Sequence, residues 1–135
     1  MPFVDKLEQI FALQAGFQEK IKQERGLTDI PMEQWIQKET LAMVSELAEL
    51  LEEVNFKWWK NPHELNQQNI QEELSDILHF FISMCLEAGM TAEDLFETYV
   101  GKNRENHLRQ QGLSAKKGYE VASAIKKQVD AQETL

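Results

Sequence analysis

The sequence predicts an all-α protein, a compact bundle of four main helices with either a short fifth helix or a frayed end at the C-terminus. Apolar residues return at three- and four-residue spacing in successive segments, and Gly or Pro punctuates the gaps between them. No run alternates Val, Ile or Thr with polar residues, and no Asn-Gly turn joins two such runs, so no strand is expected.

The first helix is carried by Phe3, Leu7, Ile10, Phe11 and Leu13 and ends near "ERGLTDIP", where Gly26 and Pro31 act as stop and restart signals. A second begins at or near Pro31 and runs through Leu41, Val44, Leu47, Ala48, Leu51 and Val54. It is expected to stop around "KWWKNPHELN", because the residue before Pro62 is disfavoured in helical geometry. The third starts near Asn66, places Ile70, Leu74, Ile77, Leu78, Phe81 and Leu86 toward a core, and ends before Gly89. The fourth opens with "TAED", where Thr91 can cap and Asp94 can return the bond, and continues through Leu95, Phe96, Tyr99 and Val100 to Leu108 and Gly112. The tail "ASAIKKQVDAQETL" is weakly amphipathic and reads as either a short fifth helix or a frayed end. With no repeat, low-complexity tract or long linker, residues 1–135 are expected to form a single domain, its last stretch from about 120 peripheral or frayed.

Composition excludes some classes. A formal net charge of −9 argues against coating a nucleic acid, which needs cations to displace phosphate counterions. No apolar stretch is long enough to span a bilayer, and "MPFVDKLEQI" lacks the basic start and apolar block of a signal peptide. The single Cys85 excludes an internal disulfide and reads as a small core residue, which suits a cytoplasmic setting. Charge is unevenly spread: residues 39–76 carry nine acids against two lysines, a net of −7, whereas residues 101–127 carry a net of +5. An acidic middle and a basic tail fit a ligand combining a metal with a polyphosphate.

The acids are patterned. Glu46 and Glu49 stand three apart, hence side by side on a helix, and Glu53 extends the row. In "EELSDILHF", Glu73 and Asp76 repeat the spacing on the next helix. Ionised carboxylates so close repel, and a cation between them relieves the cost. If the two helices pack antiparallel, four carboxylates converge into a hard oxygen site suited to Mg²⁺ or Mn²⁺. The competing reading is a solvated acidic face, since Glu is also simply a good helix former. His79, three residues after Asp76, suits a substrate contact or a satisfied histidine better than a ligand to so hard an ion.

The ordered set of ExxE, "KWWK" and ExxD with "DILHF" resembles the all-α nucleoside triphosphate pyrophosphatase superfamily, which includes MazG-like proteins. "LQAGFQ", "FKWW", "DILHF", "YVGKNRENHLRQQG" and "KKGY" resemble its dimeric dUTPase branch, and "NPHELNQQN" is short where longer members carry an insert. The resemblance implies Mg²⁺ on Glu46, Glu49, Glu73 and Asp76, with Glu46 or Glu49 as general base. It implies a uracil pocket drawn from Gln14, Trp58 or Trp59, His79 and Asn103 or Asn106, with Tyr99 and Tyr119 as weaker matches. Phosphate partners are implied at Lys57 or Lys60, Lys102, Arg109 and Lys116. The activity implied is hydrolysis of dUTP to dUMP and pyrophosphate, by a homodimer whose partner could complete each pocket. A related pyrophosphatase acting on dCTP or a noncanonical nucleotide is the nearest rival. A non-enzymatic interaction module using "KWW" as an aromatic patch is the other.

Overall fold

The computed structural model describes residues 5–134, leaving aside the side chains of residues 124–126 and 128. The protein is all-α, and the five helices are α1 (Lys6–Arg25), α2 (Met32–Glu53), α3 (Gln67–Glu87), α4 (Ala92–Gln111) and α5 (Ala122–Glu133). Phe3, expected on the first helix, lies outside the described residues. No strand occurs among the described residues, and no described helix is long and apolar enough to cross a membrane. The chain forms two compact units, one ending at Glu93 and the other beginning at Asp94.

Helix ends follow local chemistry. Asp5 caps α1 by accepting the Glu8 N–H at 3.0 Å, and Gly26 closes the helix with a left-handed φ of 64° that a Cβ would penalise. Asn66 caps α3 by accepting the Asn69 N–H at 3.1 Å. Gly89, at φ 79°, turns the chain out of α3 while the Met90 N–H returns to the Cys85 carbonyl at 2.9 Å.

The end of α2 differs from expectation. It stops at Glu53, well before the Asn61–Pro62 step, because Asn55 adopts a left-handed φ of 58° and ends the helical run. The Asn55 side chain then fastens the connection, donating to the His63 carbonyl at 2.9 Å and accepting the His63 N–H at 3.0 Å. The His63 ring meets the Glu64 carbonyl at 2.8 Å through Nδ1 and the Glu52 carbonyl at 2.9 Å through Nε2. Two carbonyls can only accept, so both nitrogens donate when the ring is the imidazolium. These backbone bonds hold the His63 pKa above its usual 6.5. The folded chain therefore holds this proton more tightly than the unfolded one. The stabilisation is fully present below pH 6.5 and fades as pH rises through the raised value. A ¹H–¹⁵N titration of the ring should place His63 above a free histidine, and an ordinary or lowered midpoint would contradict the two-donor geometry.

In the first unit α3 packs along α2 and also meets α1. Its buried apolar residues include Phe11, Ile82 and Cys85, which sit beside the buried polar side chains Gln14, Glu39 and Ser83. Cys85 is thus the small core residue expected. The apolar rows of α2 and α3 are not: Leu41, Val44, Leu47, Leu51 and Val54, and Leu74, Leu78 and Phe81, remain exposed. The three helices meet instead along a partly polar seam, leaving these leucine-rich faces uncovered.

The second unit is pinned by Ser114, whose buried hydroxyl donates to Glu105 and accepts the Lys116 N–H at 3.0 Å. The Val121 N–H returns to the Gln110 carbonyl at 3.2 Å, holding the start of α5 to the end of α4.

Candidate active site

Each of the three helices sends one stripe into a cavity of about 1040 Å³ within the first unit. Helical spacing selects the stripes: Trp35, Glu39, Ala42 and Glu46 from α2, Asp76, His79 and Ser83 from α3, and Ile10, Gln14, Phe17 and Ile21 from α1. Leu13, Leu78, Phe80 and Ile82 complete an apolar lining.

At one end α2 and α3 bring Glu46, Glu49 and Glu73 together, with one carboxylate oxygen from each inside a 4.8 Å cluster. Asp76 lies close enough for its charge to act on Glu46, and both line the cavity. Two of these oxygens, Glu46 Oε2 and Glu73 Oε2, are withdrawn from water and accept no hydrogen bond. Withdrawal from water, reinforced by the charges of Glu49 and Glu46, pushes the Glu73 carboxyl up to about 7. Glu46 is raised for the same first reason, with Glu49 and Asp76 adding to it. Orphaned carboxylate oxygens from two helices, all of them hard donors, fit a divalent ion such as Mg²⁺.

This electrostatic load has a measurable sign. A carboxyl raised from 4.5 to about 7 binds its proton more tightly when folded, so the metal-free protein gains stability as pH falls through 7 toward 4.5. The thermal midpoint without metal should rise between about pH 8 and pH 5, and Glu73→Gln should flatten that slope. An equally steep slope in the variant would place the shift elsewhere. Metal affinity should run the opposite way, weakening on acidification as the acids take up protons.

His79 stands between the two ends of the cavity. Its Nδ1 donates to the Ser75 carbonyl at 2.7 Å, which leaves Nε2 as the acceptor of the neutral ring. At the end away from the acids, Ser83 and Gln18 both donate to Glu39 Oε1, Gln18 also donates to Glu87, and Lys22 pairs with Glu87. Lys22 also sits 5.0 Å from the centre of the Trp35 ring.

Of the base contacts expected in this unit, Gln14 and His79 line the cavity. Trp58 and Trp59 stand on the α2–α3 connection in an edge-to-face pair at 5.5 Å, Trp58 86% exposed, and the indole that does line the cavity is Trp35. Lys57 pairs with Glu52 at 2.7 Å on the same connection. In the second unit, Tyr99, Lys102, Asn103, Asn106 and Arg109 recur at helical spacing along α4. Arg109 donates to Glu105 at 3.0 Å and lies 5.3 Å from the centre of the Tyr119 ring, so its charge is already partly matched.

A family model described as dUTPase matches residues 6–91, covering all three helices that build the cavity and the whole acidic cluster. The chain belongs to the dUTPase family. It also resembles the dCTP pyrophosphatases of Enterobacteria phages T4 and LZ5, at 44% identity over 45 residues. That match takes in 33% of this chain but only 26% of each phage protein, so the chain spans about a quarter of the curated relatives it matches. No solved structure matches it. The dUTPase match ends before Tyr99, so the residues expected on α4 and beyond rest on motif resemblance alone.

Trp35, Gln18, Lys22 and Glu39 also line the cavity of this dUTPase-family chain, beyond the residues expected from the sequence. For Trp35 and Glu39 the sequence carries a signal: with Ala42 and Glu46 they form one face of a helix by spacing alone, so a site at Glu46 implicates them, whereas nothing in the spacing implicates Gln18 and Lys22 on α1.

Proposed function

We propose that the protein is a Mg²⁺-dependent nucleoside triphosphate pyrophosphohydrolase that converts dUTP to dUMP and pyrophosphate, Mn²⁺ serving as a substitute ion. The carrying observation is the oxygen cluster of Glu46, Glu49 and Glu73 at the mouth of an apolar cavity large enough for a nucleoside. Glu46, Glu49, Glu73 and Asp76 would hold the ion. Once bound, it would neutralise charge on the triphosphate and acidify an attacking water. Glu49 is the more exposed of the two candidate bases and accepts the water's proton, while Glu46 is partly withdrawn from solvent. Lys57 or Lys60, Lys102, Arg109 and Lys116 are the proposed phosphate partners. Gln14 and His79 face the nucleoside, and Trp58 or Trp59, Asn103 or Asn106, Tyr99 and Tyr119 are retained as proposed base contacts.

A second substrate, dCTP, is favoured by the local identity to the phage dCTP pyrophosphatases. Pyrophosphate release from dUTP, dCTP, dTTP and dATP, with Mg²⁺ and then with EDTA, separates the two. Selective turnover of dUTP supports the first assignment and selective turnover of dCTP the second. Loss of all turnover would leave an interaction module as the better reading. The chain is further proposed to act as a cytoplasmic homodimer, because the exposed leucine-rich faces of α2 and α3 are apolar surface that a second copy would cover. A light-scattering mass of one chain would refute that assembly.

A further inference from the structure

The acidic cluster accounts for one end of the cavity but leaves Glu39 without a role. Glu39 is 7% exposed, and its two oxygens are treated differently. Oε1 accepts from both Ser83 and Gln18, whereas Oε2 has no partner although the residue lines the cavity. Placing a buried carboxylate oxygen where nothing donates to it costs stability, so a ligand that donates there recovers the loss. Glu39 and Glu46 share one face of α2 two turns apart, about 10 Å along the axis, and Ser83 and Asp76 repeat that separation on α3. The cavity is thus acidic and open to a metal at one end and carries a fixed acceptor at the other. Trp35, one turn before Glu39, gives the acceptor end a flat aromatic wall.

We propose that Glu39 is a specificity-determining residue whose free Oε2 accepts an N–H from the Watson–Crick edge of a pyrimidine base. The inference rests on the nucleotide reading above and deepens it. Both candidate bases offer the required chemistry, uracil through N3–H and cytosine through its exocyclic N4–H₂. Ser83 and Gln18 position the carboxylate by occupying Oε1, which leaves Oε2 as the unpartnered acceptor.

The test compares each parent nucleotide with an analogue lacking the donor: dUTP with N3-methyl-dUTP, and dCTP with N4,N4-dimethyl-dCTP. For whichever parent is hydrolysed, the wild-type enzyme should reject the methylated analogue by about 10- to 100-fold in kcat/KM. Glu39→Gln keeps the side-chain shape and can still accept from Ser83, but the amide can place a donor at the free position. It should raise KM for the parent by a similar factor, leave kcat little changed, and so collapse the discrimination. Ser83→Ala leaves Oε2 in place and Gln18 still on Oε1, so it should weaken the discrimination less than Glu39→Gln does. Wild-type enzyme that hydrolyses parent and analogue equally overturns the proposal with no variant needed. So does a Glu39→Gln enzyme that loses parent and analogue activity in equal proportion, as a merely structural carboxylate would dictate. Turnover of neither parent overturns the nucleotide reading itself, whereas turnover of a parent with failed discrimination overturns only the role of Glu39.

Discussion

Replacing Glu49 by Gln is expected to lower pyrophosphate release by about 10²–10⁴-fold, the range for removing a positioned general base. The substitution is nearly isosteric on an exposed position of α2, so the helical circular-dichroism signal should not change. Its effect on stability should even run the other way. In the metal-free protein Glu49 raises the cost of ionising both Glu46 and Glu73, and deleting its charge removes that repulsion. The variant's thermal midpoint without metal should therefore equal or exceed that of the wild type, while the upward shift on adding Mg²⁺ should shrink. A dead enzyme that is more stable without metal separates loss of the site from loss of the fold. A variant with full turnover would remove Glu49 from the chemistry, and one that unfolds would show the acidic row to be structural.

Helix content was legible because it depends on local spacing, which a single sequence carries. The acidic cluster was legible for the same reason: Glu46 with Glu49, and Glu73 with Asp76, repeat one helical interval on successive helices, and antiparallel packing across the connection does the rest. The stop at Asn55 is not legible in the sequence, because Pro62 is a stronger helix breaker than an asparagine that merely tolerates left-handed backbone. In the sequence Glu39 is only one charge among nine, since nothing local to it says that α1 will place Gln18, and α3 Ser83, against one of its oxygens. The exposed rows on α2 and α3 mark a different limit: periodicity shows that Leu41, Val44 and Leu51 share an apolar face but not which surface that face meets. Helical period reveals what lies on a face, and only tertiary packing reveals what lies opposite.

Ile82→Ala is expected to produce the largest stability loss of any single truncation in the first unit, about 2–5 kcal/mol. Ile82 is only 1% exposed and is the largest fully buried side chain among the described residues. Much of the rest of the buried seam is polar, so few neighbouring apolar side chains can collapse into the space that truncation leaves. Ile82→Val should cost about 0.5–1.5 kcal/mol, so the pair reads burial and cavity formation on one scale. Urea unfolding of both variants, followed by tryptophan fluorescence, supplies the comparison. Because Ile82 also lines the cavity beside Ser83, the alanine variant should widen the space next to Glu39 and weaken substrate binding as well as the fold. A loss below about 1 kcal/mol for the alanine variant would mean that the polar seam, rather than Ile82, holds α1, α2 and α3 together.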